Sequence, residues 1–190
     1  MKIAITGGIG SGKSYVCRLL AQRGIDVYDC DAAAKRLMRE SAELQQALCR
    51  VVGNDAYKDG ILQKAVLAKF ILTSDTNRQA IDDTVHPAVA ADFLASGKVW
   101  LESAILFGSG FHHRVCFDHV VCVSAPIEVR IERIMARDNL TREKALEWIG
   151  RQMPQEEVER RSDYTIVNDG RDNNLNTQID KILNEINNLH

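Results

Sequence analysis

Lys2-Ile3-Ala4-Ile5-Thr6-Gly7-Gly8-Ile9-Gly10-Ser11-Gly12-Lys13-Ser14 decides the reading of this chain. A short apolar run ends in a glycine-dense turn, and Val16, Cys17, Leu19, Leu20 and Ala21 follow at helical spacing. Gly7, Gly12, Lys13 and Ser14 satisfy G-x-x-x-x-G-K-[ST], the phosphate-binding loop between a strand and a helix. Residues without a Cβ let successive backbone N–H groups converge on a polyphosphate, and the helix start adds its positive dipole end. Gly8, Ile9, Gly10, Ser11, Gly12, Lys13, Ser14 and Tyr15 are therefore the expected nucleotide-binding residues. Lys13 reaches the β- and γ-phosphates, and the Ser14 hydroxyl suits a Mg²⁺ bridging them. ATP or GTP is the implied ligand.

Outward from the loop, the chain reads as one α/β domain. Arg23-Gly24 stops the first helix, and Ile25 to Tyr28 reads as a strand running into Asp29-Cys30-Asp31. Strand ends in an open parallel sheet border the binding crevice. One of these aspartates is expected to cap the helix beginning at Ala32, and a carboxylate beside a triphosphate also suits accepting a hydroxyl proton. From Ala32 to Ser96 only helices are expected: one bearing Leu44, Leu48, Val51 and Val52, then Gln63–Leu72, then Asn77–Val85, with His86-Pro87 restarting a fourth. Lys98 to Glu102, Val115 to Val123 and Asp163 to Val167 are the remaining strands, Glu102 closing one of them as an acid.

Ser124-Ala125-Pro126 is expected to cap a helix with Ile127, Ile131, Ile134 and Met135 on one face and Glu128, Arg130, Glu132, Arg133 and Arg137 on the other. Arg133, Arg137, Arg142, Arg151, Arg160 and Arg161 cluster over 133–161. Interleaved glutamates suit a solvated surface, while guanidiniums beside a triphosphate suit a lid, with Arg137 and Arg151 as its best candidates. A last helix carries the apolar stripe Leu175, Ile179, Ile182, Leu183, Ile186 and Leu189.

Composition narrows the function classes. A net charge of −2 argues against a broad nucleic-acid surface. No apolar run reaches the length of a membrane span, and no signal-peptide pattern opens the chain. Cys17, Cys30, Cys49, Cys116 and Cys122 are dispersed without metal-ligand spacing, as expected of reduced thiols in a cytoplasmic protein.

With these elements placed, the sequence resembles the bacterial dephospho-coenzyme A kinase family over essentially its whole length. The resemblance rests on the loop from Thr6 to Ser14, Asp29-x-Asp31, His86-Pro87, Ala104-Ile105-Leu106-Phe107, Met135-Ala136-Arg137-Asp138 and Asn168-Asp169-Gly170. It implies a three-layer P-loop kinase fold with a five-stranded parallel sheet. The core would span 1–31, 98–137 and 162–190, with a helical CoA-binding lobe over 32–97 and a helical lid over 138–161. It implies transfer of the γ-phosphoryl group of ATP to the 3′-hydroxyl of dephospho-CoA, with Mg²⁺, by a monomer.

In that family's pattern Asp31 takes the ribose proton, Lys13 and Arg137 act on the phosphates, and Asn168 and Gly170 lie near the adenine. Asp29, His86 and Arg151 fall to the acceptor. Three positions depart from the pattern. Tyr15 replaces a usual threonine, Ala104 a proline and Gly108 a glutamate, whose contact Glu102 is placed to substitute. A nucleoside monophosphate-type kinase would share the loop, lid and sheet. A GTP-dependent switch would need N-K-x-D and D-x-x-G, and neither occurs.

Overall fold

A computed structural model describes residues 1–170 and 174–188. In chain order the elements are β1 (Ile3–Thr6), α1 (Lys13–Ala21), β2 (Val27–Asp29), α2 (Cys30–Glu40), α3 (Ala42–Val52), β3 (Tyr57–Lys58), β4 (Ile61–Leu62), α4 (Lys64–Thr73) and α5 (Asp75–Ala95). Then come β5 (Trp100–Glu102), β6 (His119–Ser124), α6 (Ile127–Asp138), α7 (Arg142–Gly150), α8 (Gln155–Arg160), β7 (Tyr164–Val167) and α9 (Leu175–Asn188). The chain divides into two compact units, one of residues 1–28, 98–112 and 116–190, the other of 29–97 and 113–115.

The first unit is built on a five-stranded parallel sheet in the order β2-β5-β1-β6-β7. β1 lies at its centre, pairing Ile3 with Trp100 and His119, and Ile5 with Glu102 and Val121. All four β1 residues are at most 1% exposed, the burial of a parallel strand covered on both faces. α1 has nine residues, too few to be stable alone in water. Burying Val16, Leu19 and Leu20 against Ile179, Ile182 and Ile186 contributes about 1.5–3 kcal/mol per side chain, which fixes α1 at the end of the loop. Leu175 also lies in this core and Leu183 packs at its margin, as the stripe predicts; Leu189 lies outside the described residues.

The second unit is helical, with two departures from the expectation. β3 and β4 form a small antiparallel hairpin about Asp59-Gly60, two residue pairs long and too short for its pattern to show in sequence. The expected break and restart at His86-Pro87 does not occur: α5 runs 21 residues through Pro87. An interior proline costs a helix about 3 kcal/mol. Ile81 and Val85 before it and Val89, Ala90 and Phe93 after it are all buried, and at about 1.5–3 kcal/mol for each large side chain their shared face outweighs the proline.

Candidate functional site

The loop of residues 7–14 leaves the centre of the sheet and enters α1. Gly7 has φ 141°, and a Cβ there would sit 2.2 Å from the Val123 carbonyl oxygen of β6. Gly12, the residue before α1, has φ 93°, and its Cβ would sit 2.1 Å from Asn168 Nδ2. Both are close approaches that only glycine permits. Gly12→Ala is expected to destabilise the protein by about 1–3 kcal/mol from the backbone conformation alone, and to weaken ATP binding. Thermal unfolding and ATP titration check this; an unchanged melting temperature and affinity would contradict it.

The loop's outer side is held by α6 and by the residues after β7. Arg130 Nε donates to the Ile9 carbonyl at 2.9 Å. Arg133 Nη1 donates to the Gly10 carbonyl at 3.2 Å and the Ser11 carbonyl at 3.3 Å. Asn168 Nδ2 donates to the Ser11 carbonyl at 3.0 Å, and Arg133 Nη2 donates to Asn168 Oδ1, also at 3.0 Å. No peptide here is cis, so each C=O points opposite the N–H that follows it. Guanidiniums drawing the carbonyls of residues 9–11 to one side therefore turn the N–H groups of Gly10 and Gly12 to the other, while the Ser11 N–H donates to the Gly8 carbonyl at 3.1 Å and closes the turn of the loop. Donors fixed in this way are what a polyphosphate requires.

Lys13 is buried, with its Nζ donating to the Gly7 carbonyl at 2.8 Å and lying 3.7 Å from Glu102 Oε1. The ammonium is thus folded back over the loop, beside the acid that ends β5. Ser14 stands exposed on the first turn of α1. Tyr15 points outward, its ring under the Arg18 guanidinium at 5.4 Å. Gly170 lies against Arg133, as a Cβ there would sit 3.8 Å from Nη2.

The structure brings Gly8, Ile9, Gly10, Ser11, Gly12 and Lys13 together with Asn168 and Gly170. Arg137 and Arg151 are not drawn to the loop. Arg137 binds Asp138 through Nε and Nη2, at 2.7 Å for the shortest bond, and Arg151 pairs with Glu147, both pairs on the exposed surface. Sequence reading missed Arg130 as a loop residue by placing it on the solvent face of α6. It is 5% exposed, and burial holds its guanidinium below the usual arginine range while leaving it a cation at neutral pH. The i, i+3, i+7 spacing of Arg130, Arg133 and Arg137 puts all three on one helical face and does not separate the loop-binding pair from Arg137. Pro126, with no side-chain capping bond, precedes α6, and the Ser124 hydroxyl instead accepts from Gln155 Nε2 at 2.8 Å. Burial pushes the Cys122 thiol up to about 12, so it stays protonated and inert.

In the second unit Asp29 is the helix cap: its Oδ1 accepts from the Ala32 N–H at 2.9 Å. Asp31, in the first turn of α2, is exposed, and the capping duty has gone to its neighbour. His86 is largely buried on α5, its Nε2 3.6 Å from Asp82 Oδ1. Burial first, then the Arg114 guanidinium, hold its pKa below 6.5, while the Asp83 and Asp31 carboxylates pull it the other way. His86 is therefore favoured as the neutral imidazole.

Among the described residues no group of three or more His, Cys, Asp or Glu is arranged to hold a metal ion, and no helix is long and apolar enough to cross a membrane. Comparison with known proteins agrees with the loop geometry. The sequence profile described as Dephospho-CoA kinase matches residues 1–174. A curated dephospho-CoA kinase of Bacteroides fragilis is 39% identical over 177 residues, covering 90% of this chain and 85% of that one. A crystal structure from Thermus thermophilus superposes with a TM-score of 0.81 at 34% identity, over 97% of each chain. The dephospho-CoA kinase of Campylobacter jejuni, at 22% identity and a TM-score of 0.66 over 98% of each chain, shares the fold. A phosphate loop at the centre of a parallel sheet, in a sequence matching one kinase family from its first residue to 174, places the chain: it belongs to the dephospho-CoA kinase family.

Proposed function

We propose that this chain transfers the γ-phosphoryl group of ATP to the 3′-hydroxyl of dephospho-CoA, giving coenzyme A and ADP. The observation that carries the nucleotide half is the loop itself, with carbonyls pinned by Arg130, Arg133 and Asn168 and Lys13 folded over it. In this reading N–H groups of residues 8–14 bind the phosphates, and Lys13 neutralises charge developing on the transferred group. Asn168 and Gly170 border the adenine. Asp31 takes the proton of the ribose hydroxyl as its oxygen bonds to the γ-phosphorus and ADP leaves. Asp29 holds α2, and so Asp31, in place. His86, neutral and packed, serves the acceptor as a hydrogen-bonding group rather than as a charge.

Mg²⁺ takes oxygen donors, and the Ser14 hydroxyl and the Glu102 carboxylate are the groups that would hold it. Bound there, it would supply positive charge to offset that of the polyphosphate. The helical lobe over 32–97 carries the acceptor. The segment 138–161 acts as the lid, and Arg137 and Arg151 leave their surface carboxylates to reach phosphate only as it closes. Exposed ion pairs of that kind are worth about 0–1 kcal/mol, so a triphosphate outcompetes them. A monomer suffices, since loop, base and lid come from one chain. Five free cysteines suit a cytoplasmic setting.

The test is acceptor-dependent ADP release with ATP and Mg²⁺. Dephospho-CoA is expected to stimulate it strongly, and AMP and CMP are not. Stimulation by AMP or CMP instead would assign a nucleoside monophosphate-type kinase.

A further inference from the structure

The phosphate loop is braced at two places on its outer side. At Ile9 the brace comes from α6 and the α7–α8 junction: Arg130 holds the carbonyl, and the Gln152 side-chain oxygen accepts from the N–H at 2.7 Å. At Ser11 it comes from Asn168, the residue that follows β7. This second brace draws on the turn of residues 168–170, which the proposed function sets beside the adenine. An asparagine there has two uses open to it. Its carboxamide suits the edge of an adenine, one atom accepting from N6 and the other donating to N7. The same two atoms also suit a strut between parts of the protein.

The hydrogen bonds decide between them. Asn168 Oδ1 accepts from Arg133 Nη2 at 3.0 Å, and Nδ2 donates to the Ser11 carbonyl, also at 3.0 Å. One partner is a guanidinium that only donates and the other a carbonyl that only accepts, so the carboxamide cannot be turned end for end. The main chain is committed as well. The Asn168 N–H donates to the Ser124 carbonyl at 2.8 Å, and the Asn168 carbonyl accepts from Arg133 Nη1 at 3.3 Å. The residue is 5% exposed. A Cβ on Gly12 would come within 2.1 Å of Nδ2, so the side chain is pressed against the loop immediately before Lys13. Buried this far, the carboxamide spends both of its atoms inside the protein.

We infer that Asn168 is a positioning residue of the phosphate loop and that its side chain takes no part in choosing the base. Through a bond backed by Arg133 it holds the Ser11 carbonyl outward, and so keeps the Gly12 N–H turned toward phosphate. The choice of base falls to groups other than this carboxamide. This rests on residues 7–14 being the triphosphate site.

A loop that grips phosphate loses the same factor whatever base is attached. Asn168→Ala is expected to weaken ATP, GTP and inorganic tripolyphosphate alike, by about three- to tenfold, the range a net hydrogen bond spans. A base reader would lose ATP alone. Titration calorimetry on the full chain reads affinity and stoichiometry together. A merely loosened fold lowers the number of binding sites and not the affinity of each, so the common factor is specific to positioning. Asn168→Asp, of the same size, keeps an oxygen facing Arg133 but sets a second one against the Ser11 carbonyl. It repeats the series if the alanine variant melts early.

A loss confined to ATP, with GTP and tripolyphosphate bound as in the wild type, would overturn the inference. So would unchanged affinity for all three. A wild-type protein that bound no triphosphate would overturn the reading of the loop itself, which keeps the two failures apart.

Discussion

Asp31→Asn is expected to lower kcat by about 10²- to 10⁴-fold while leaving the ATP dissociation constant within about twofold, the range for loss of a positioned general base. Asparagine matches the shape of aspartate but cannot take up a proton. The loss therefore falls in the transition state and not on ground-state nucleotide binding. A local folding defect is a poor rival explanation. The cap of α2 is Asp29 Oδ1 on the Ala32 N–H, and the substitution leaves that bond intact. Asp31 is exposed in the first turn, where removing a negative charge costs a helix about 0.3–1 kcal/mol. Single-turnover phosphoryl transfer at saturating ATP is the measurement. Near-normal turnover would remove Asp31 from the mechanism.

The second large effect is expected at Lys13, where alanine should lower kcat by about 10²- to 10³-fold and weaken ATP as well. The geometry explains why both fall. Nζ is held between the Gly7 carbonyl at 2.8 Å and the Glu102 carboxylate at 3.7 Å, in a side chain only 10% exposed. A cation that close to the phosphates contributes to binding and, more strongly, to the charge developing during transfer. The alanine variant also takes the ammonium away from Glu102, itself only 15% exposed. Steady-state kinetics with calorimetry separates the two losses. A variant losing affinity alone, with kcat preserved, would confine Lys13 to binding.

Most of the fold was legible because local signals agreed with one another. The β1–loop–α1 unit announced itself through apolar residues, glycines and Lys13-Ser14, and its central position in the sheet follows from complete burial of Ile3 to Thr6. Asp29 and Asp31 could be named together but not separated. Only the 2.9 Å bond to the Ala32 N–H assigns the cap. α5 was misread at Pro87 because a proline's local cost is visible in sequence, whereas the burial that offsets it on both sides belongs to tertiary packing. The β3–β4 hairpin was too short to establish a period.

The loop's partners were the least legible part, for a similar reason. Arg130 and Arg133 meet carbonyls more than a hundred residues earlier in the chain, so neither helical spacing nor neighbouring glutamates could single them out from Arg137. Gln152 gave no signal at all. A neutral side chain at a helix end reads as surface until its oxygen is seen on the Ile9 N–H. Arg137 and Arg151, the more conspicuous arginines, are engaged with surface carboxylates in this conformation.

The central claim, that the chain joins an ATP-binding loop to a dephospho-CoA acceptor, is tested most directly by identifying the phosphorylated product. With ATP and Mg²⁺, and with dephospho-CoA, AMP and CMP offered together, mass spectrometry and phosphorus NMR should find one new phosphomonoester, on the 3′-oxygen of dephospho-CoA. Phosphate appearing on AMP or CMP, or ADP forming with no acceptor modified, would contradict the account.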